Sequence, residues 1–237
     1  MAPAQESSTS LTIEISSVPL LDVGRGNKKI RQEILKNISE VYDAGCFVYG
    51  PDCRELESRI AEISSAKYAI GCASGSEALL VALMAHDIGP GDEVILPSFT
   101  FFATASAVWR LGAKVVFADI DPSTFNMDAK HVESLVNSKT RAIIPVHLFG
   151  QCADMDLLGN LADQHGLLVI EDAAQSIGAK FNGKACGAIG HVGCFSFFPT
   201  KNLGCFGDGG LITAKNKKVY ESLLKLRTHG GIKRNQH

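Results

Sequence analysis

Neither sign of charge dominates this chain of 237 residues: 23 Lys and Arg stand against 25 Asp and Glu. No basic stripe or aromatic-basic interleaving marks a nucleic-acid surface, so any anion site must be local. Long apolar runs are missing too, and none reaches the roughly eighteen residues that a membrane helix needs. Residues 1–10 have no basic start followed by an apolar core, so they read as a flexible tail and not a signal peptide; the expected location is the cytoplasm. The seven cysteines form no C-x-x-C pair and their number is odd. They read as reduced thiols buried as small hydrophobes, neither a disulfide framework nor, scattered among Gly, Ala and Phe, a metal site. No serine stands in G-x-S-x-G, so hydrolase chemistry lacks support.

What the chain does have is a strand-helix rhythm. Ile30, Ile34, Ile38 and Val41 recur at helical spacing over Lys28–Ala44, and Leu56, Ile60 and Ile63 do so over Arg54–Ser64, after a break from Gly45 to Pro51. Strands are expected at Tyr68–Gly71, Glu93–Leu96, Lys114–Ala118, Ala142–Val146, Leu167–Glu171, Val192–Phe197 and Gly210–Ala214. Helices are expected up to Met84, then near Ala103–Leu111, Ala129–Val136, Met155–His165 and Val219–Arg227. Short, non-alternating apolar strands separated by helices imply a mostly parallel sheet covered on both faces, a three-layer α/β/α fold.

Three places carry residues suited to chemistry. Gly71-Cys-Ala-Ser-Gly-Ser-Glu77 joins a strand to a helix, and small residues with two hydroxyls at a helix N-terminus suit a phosphate. A serine-capped turn accounts for the same residues without any ligand. Asp172 follows Leu167-Leu-Val-Ile-Glu171, at the carboxyl end of a strand where open parallel sheets place ligand groups. Glu171 competes with it, but neighbouring strand residues face opposite ways, so only one can meet a ligand. Asp119 and Asp121 follow another strand and suit turns or caps. Lys201 lies in Ser196-Phe-Phe-Pro-Thr-Lys-Asn-Leu-Gly204 among apolar and small neighbours. Desolvation favours the neutral, nucleophilic form of an amine, whereas an ordinary lysine belongs on a solvated surface. His147 could line a cleft; the other histidines fall in helices or loops. Phe99, Phe101 and Phe102 could stack on a flat ring or belong to the core.

Together these blocks resemble the DegT/DnrJ/EryC1/StrS sugar aminotransferases, which have the aspartate-aminotransferase architecture (fold type I). Further matching blocks are Gly89-Pro-Gly-Asp-Glu-Val94, Pro97-Ser-Phe-Thr-Phe101, Ala142-Ile-Ile-Pro-Val-His-Leu-Phe-Gly-Gln151, Glu171-Asp-Ala-Ala-Gln-Ser176 and Gly207-Asp-Gly-Gly210, in unbroken order from about Leu21 to Gly230. The resemblance implies pyridoxal 5′-phosphate (PLP) as cofactor. Lys201 corresponds to the lysine that bonds to it, Asp172 to the carboxylate on its pyridine nitrogen and Gln175 to the side chain near its 3-hydroxyl. Ser74, Gly75 and Ser196 match the phosphate site, with the cofactor-binding Ser76 beginning the adjoining helix, and Phe101 matches the stacking ring, with Phe99 as the alternative. Members that dehydrate sugars carry histidine in place of the lysine, so Lys201 implies amination.

The resemblance further implies transfer of an amino group from glutamate or glutamine to a nucleotide-linked ketosugar, in amino-sugar or polysaccharide synthesis, by a homodimer without nucleic-acid or membrane partners. Residues 1–24 are expected to form a flexible segment and 25–237 a PLP-binding large domain with a helical arm. The family's smaller C-terminal domain is expected to be absent or truncated. Three other readings stand beside this one: another fold-type-I enzyme such as a lyase, a non-catalytic PLP-binding or regulatory protein, and a nucleotide-binding α/β domain without PLP.

Overall fold

The computed structural model describes residues 17–231, so the expected N-terminal tail lies largely, and the segment after Gly231 wholly, outside the described residues. The strands are β1 (Tyr68–Cys72), β2 (Glu93–Pro97), β3 (Lys114–Ala118), β4 (Thr140–Ile143), β5 (Leu168–Asp172), β6 (Lys180–Phe181), β7 (Lys184–Ala185), β8 (Val192–Ser196) and β9 (Gly210–Ala214). Seven of them form one sheet in the order β1-β9-β8-β5-β4-β2-β3, while β6 and β7 make a separate hairpin. The pairs β2/β3, β2/β4, β4/β5 and β5/β8 are parallel, whereas β9 is antiparallel to both β8 and β1. Six strands therefore run one way, and β9 alone runs back.

The helices are α1 (Val23–Asn27), α2 (Arg31–Ala44), α3 (Pro51–Ser64), α4 (Gly75–Met84), α5 (Phe102–Arg110), α6 (Ala129–Leu135), α7 (Met155–His165) and α8 (Lys217–Arg227). Alternate strand residues sort them into two layers, as the two-residue strand period requires. Ile70, Val94, Leu96, Ile144, Ile170 and Ile212 pack under α4, α5 and α8. Ile95, Ile143 and Val169 pack on α6 and α7, and Ala69, Phe195 and Leu211 pack on Ile60 of α3. Burial on both faces is why these strands read as unbroken apolar runs. No helix among the described residues is long and apolar enough to cross a membrane.

Several expected boundaries shift for physical reasons. Pro51, read as part of a break, is the first residue of α3: a missing N–H costs nothing in a first helical turn. Strand β4 stops at Ile143 because Pro145 has no N–H for a ladder; beyond it only a single bridge, Val146 to Asp172, continues the pairing. The arm helix expected from Lys28 begins as a 3-10 turn, Lys28–Ile30, before α2, and none of its residues is buried. Asp121 serves a turn, its carboxylate accepting from the N–H groups of Ser123 and Thr124.

The cysteine reading needs correction. Cys152 and Cys186 are joined in a disulfide, with Cα atoms 6.5 Å apart, and the other five cysteines are free. The partners are 34 residues apart, one just after the Leu148–Gly150 turn and one just after β7. No local spacing could reveal such a pair, because only the tertiary fold brings the two loops together.

Candidate functional site

The eight positions matched to the cofactor site converge on the edge of the sheet where the six aligned strands end. Strand β1 leads to Ser74, β2 to Phe101, β5 ends in Asp172 and β8 in Ser196; β9, running backwards, starts there at Gly210. Ser74, Gly75, Ser76, Phe101, Asp172, Gln175, Ser196 and Lys201 line one cleft of about 280 Å³. A larger apolar cleft of about 630 Å³, beside Tyr49, Leu56 and Arg227, contains none of these residues.

One end of the smaller cleft is built around the first turn of α4. The Ser74 hydroxyl accepts from Glu77 N–H at 3.1 Å, so the capping role expected of that serine is met. Four residues leave little room to each other here. A Cβ on Gly75 would lie 2.6 Å from Ser196 Cβ, and one on Gly210 would lie 2.3 Å from the Ser74 carbonyl carbon. Glycine thus lets β8 and β9 press against the helix start, gathering hydroxyls at its positive end. That arrangement suits a phosphate.

Asp172 and Glu171 point to opposite faces, as strand alternation demands. Glu171, fully buried, accepts from His147 Nε2 at 2.8 Å and from the N–H groups of Gly187, Ile189 and Gly190 at 2.6, 2.7 and 2.5 Å. It is a staple for the loop after β7 and does not face the cleft. Asp172, 6% exposed, faces the cleft; Thr104 Oγ1 lies 2.9 Å from its Oδ2, and Ala174 N–H donates to its Oδ1 at 3.2 Å. Both of its backbone groups are tied to the segment after β4, its N–H donating to Pro145 O and its carbonyl accepting from His147 N–H. Burial pushes the Asp172 carboxyl above its ordinary value, partly countered by Thr104, Ala174, His147 and Lys201.

Other walls are equally fixed. His147 lines the cleft, but its two ring nitrogens are occupied: Nδ1 accepts from Ala153 N–H at 3.1 Å, so the Nε2 proton points at Glu171. The ring nitrogen of His147 and the sulfurs of Cys152 and Cys186 lie within 4.8 Å of one another, yet each is already engaged. Gln175 Oε1 accepts from Phe149 N–H at 2.8 Å, which orients the amide and leaves its NH₂ as the free donor. Phe149 holds this position from a left-handed backbone (φ 54°, ψ 22°). Phe101 borders the cleft and is 74% exposed, whereas Phe99 packs against Phe125 with ring centroids 5.9 Å apart. Lys201 is half-buried on the cleft wall.

Sequence reading missed Thr104 and Thr100. The available signal was position: Thr104 lies three residues after Phe101, one helical turn along, and so on the same side of α5.

The sequence profile of the DegT/DnrJ/EryC1/StrS aminotransferase family matches residues 28–237. A "pleiotropic regulatory protein" of Geobacillus stearothermophilus is 50% identical over 93% of this chain and 59% of its own length. UDP-N-acetyl-3-dehydro-α-D-glucosamine 3-aminotransferase of Acidithiobacillus ferrooxidans is 46% identical over 94% of this chain and 60% of its own. Among solved structures, S. venezuelae DesV, in complex with a ketimine intermediate, superposes with a TM-score of 0.90 at 42% identity, covering 93% of this chain and 59% of that one. The chain thus spans about 60% of the length of the curated relatives it matches.

Proposed function

Because the chain belongs to the DegT/DnrJ/EryC1/StrS aminotransferase family, we propose that it is the cofactor-binding part of a PLP-dependent aminotransferase. The amino group passes from glutamate or glutamine to a nucleotide-linked ketosugar. The observation that carries this reading is the sharing of one cleft by a buried acid, an amine and a hydroxyl-lined helix start. A relative named as a nucleotide-sugar aminotransferase supports the substrate class.

The residues fit the cofactor. Ser74, Gly75, Ser76 and Ser196, with the N-terminus of α4, would hold its phosphate; Asp172 would face its ring nitrogen. Phe101 would cover the ring, and the free NH₂ of Gln175 would face its 3-oxygen. When bound, PLP supplies an electron sink for the electrons released at a substrate carbon. The Asp172 carboxylate would hold a proton on the ring nitrogen, and its low-dielectric surroundings would strengthen that attraction. Lys201 Nζ would be the covalent anchor, and as a free amine it would take a proton from the substrate carbon. The imidazole of His147, fixed by Glu171 and Ala153 N–H, forms part of the cleft wall.

Around this centre the wider reading is that residues 25–237 act as one cofactor-binding domain of a cytoplasmic enzyme of amino-sugar and polysaccharide synthesis, lipopolysaccharide included. The exposed rings of Phe101 and Phe149 beside the cleft support a homodimer, in which a second copy covers them. A second reading, a regulatory protein that keeps PLP without turnover, draws on the name of the Geobacillus relative.

An absorbance spectrum separates these readings. Protein loaded with PLP gains a visible band that borohydride fixes onto Lys201, and Lys201→Ala loses it. Glutamate bleaches the band if the chain performs the first half of the transfer. A band that glutamate leaves unchanged favours the regulatory reading, and no borohydride adduct on Lys201 ends the cofactor reading.

A further inference from the structure

Thr104, one turn into α5, is fully buried and sits where three oxygens meet. Its Oγ1 is 2.9 Å from Asp172 Oδ2, 2.9 Å from Thr100 Oγ1 and 3.2 Å from the Phe101 carbonyl oxygen. A hydroxyl has one proton to give and two lone pairs to receive. Asp172 and the Phe101 carbonyl therefore compete for the single Thr104 proton, while Thr100 can supply its own to Thr104. The carbonyl already accepts from Thr104 N–H at 3.2 Å, and a carboxylate attracts the proton more strongly than a neutral oxygen. With Asp172 ionised, the order of donation runs Thr100 to Thr104 to Asp172.

A buried threonine that satisfies itself on a carbonyl one turn back is a common packing device. Thr104 has that option and also reaches Asp172, 68 residues away in sequence, at the shorter distance. Without it, Oδ2 of this largely buried carboxylate would lose this donor, and only the longer Ala174 contact would remain, on Oδ1.

We propose that Thr104 is a positioning residue: its hydroxyl orients the Asp172 carboxylate toward the cleft and ties it to the backbone that carries Phe101. The acid meant for the cofactor's ring nitrogen and the aromatic meant for its face are thereby set as one unit. This rests on the cofactor reading above. The titratable groups that face Asp172 are His147 from the segment after β4, Cys194 from β8 and Lys201 from the loop after β8.

The test uses the full chain with Thr104→Val, which keeps the shape and removes the hydroxyl, and Thr104→Ser, which keeps the hydroxyl. PLP affinity is titrated by absorbance across pH, alongside thermal melting. Thr104→Val should weaken PLP binding about tenfold or more, the usual effect of losing a hydrogen bond to a charged group. It should also move the pH at which affinity is lost upward, because Asp172 stripped of its donor holds its own proton more firmly. Thr104→Ser should restore both. In an Asp172→Asn background the valine change should add little, since the charge it serves is gone. Should valine disturb packing, Thr104→Ala against Thr104→Ser gives the same comparison. A valine variant whose melting point falls while its PLP pH profile matches wild type overturns the inference alone. Wild-type protein that takes up no PLP overturns the cofactor reading and this inference with it.

Discussion

Asp172 ends β5 with 6% of its surface exposed and its carboxyl facing a cleft whose wall also carries Lys201. Burial raises its pKa above 3.8, so the folded chain binds that proton more tightly than the unfolded one. Stability from this group is therefore greatest at low pH and is lost as pH rises through the raised value. Asp172→Asn removes the loss. We expect the cofactor-free variant to melt higher than wild type at neutral pH, with the gap closing as pH falls. The same variant should bind PLP at least tenfold more weakly. Calorimetry across pH checks the first part, and a variant less stable than wild type at every pH would refute it. A residue that destabilises the empty protein while serving the loaded one has the character of a binding group. Much of this was legible in the sequence: alternation along β5 predicted that Glu171 and Asp172 would part company. What sequence could not supply was the partner, because Thr104 meets Asp172 only after α5 has packed over the sheet.

At the scale of elements, the β6–β7 hairpin is held to the segment after β4 by the Cys152–Cys186 disulfide. Neighbouring residues do structural work on both sides, since Ala153 N–H fixes His147 and Gly187 N–H fixes Glu171. Alkylation in denaturant without reductant should therefore label five cysteines, and Cys152 and Cys186 should react only after reduction. Labelling of all seven without reductant would restore the thiol reading. Closing a loop of 34 residues stabilises by about 3–4 kcal/mol in the chain-entropy account, so reductant should also lower the melting point. In the native protein Cys72 and Cys194 should stay unlabelled: burial pushes Cys72 up to about 12 and Cys194 well above its usual value. The legibility of other elements followed how local their causes are. Strand β3, α7 and β9 read from their patterns at the observed bounds, because apolar runs and helical spacing decide them. The β6–β7 hairpin escaped notice, as two-residue strands have no periodicity to read. The reversed direction of β9 escaped as well, since direction is set by the route of the chain and not by its residues.

For the whole molecule, the sheet is an alignment device: six strands running one way deliver side chains from five separate segments to a single edge. The candidate site was legible because each segment announces itself at a strand's end, and the shared family pattern fixed which residues to follow. Its geometry was not, since the distances depend on sheet order. The central claim is that one flat ring fits between Lys201 and Asp172, with its phosphate at the start of α4. A crystal structure of the protein soaked with PLP tests this most directly. The account predicts Lys201 Nζ bonded to the cofactor and an Asp172 oxygen about 2.7–2.9 Å from the ring nitrogen. PLP bound elsewhere, or seated in this cleft with its ring nitrogen turned away from Asp172, would contradict it.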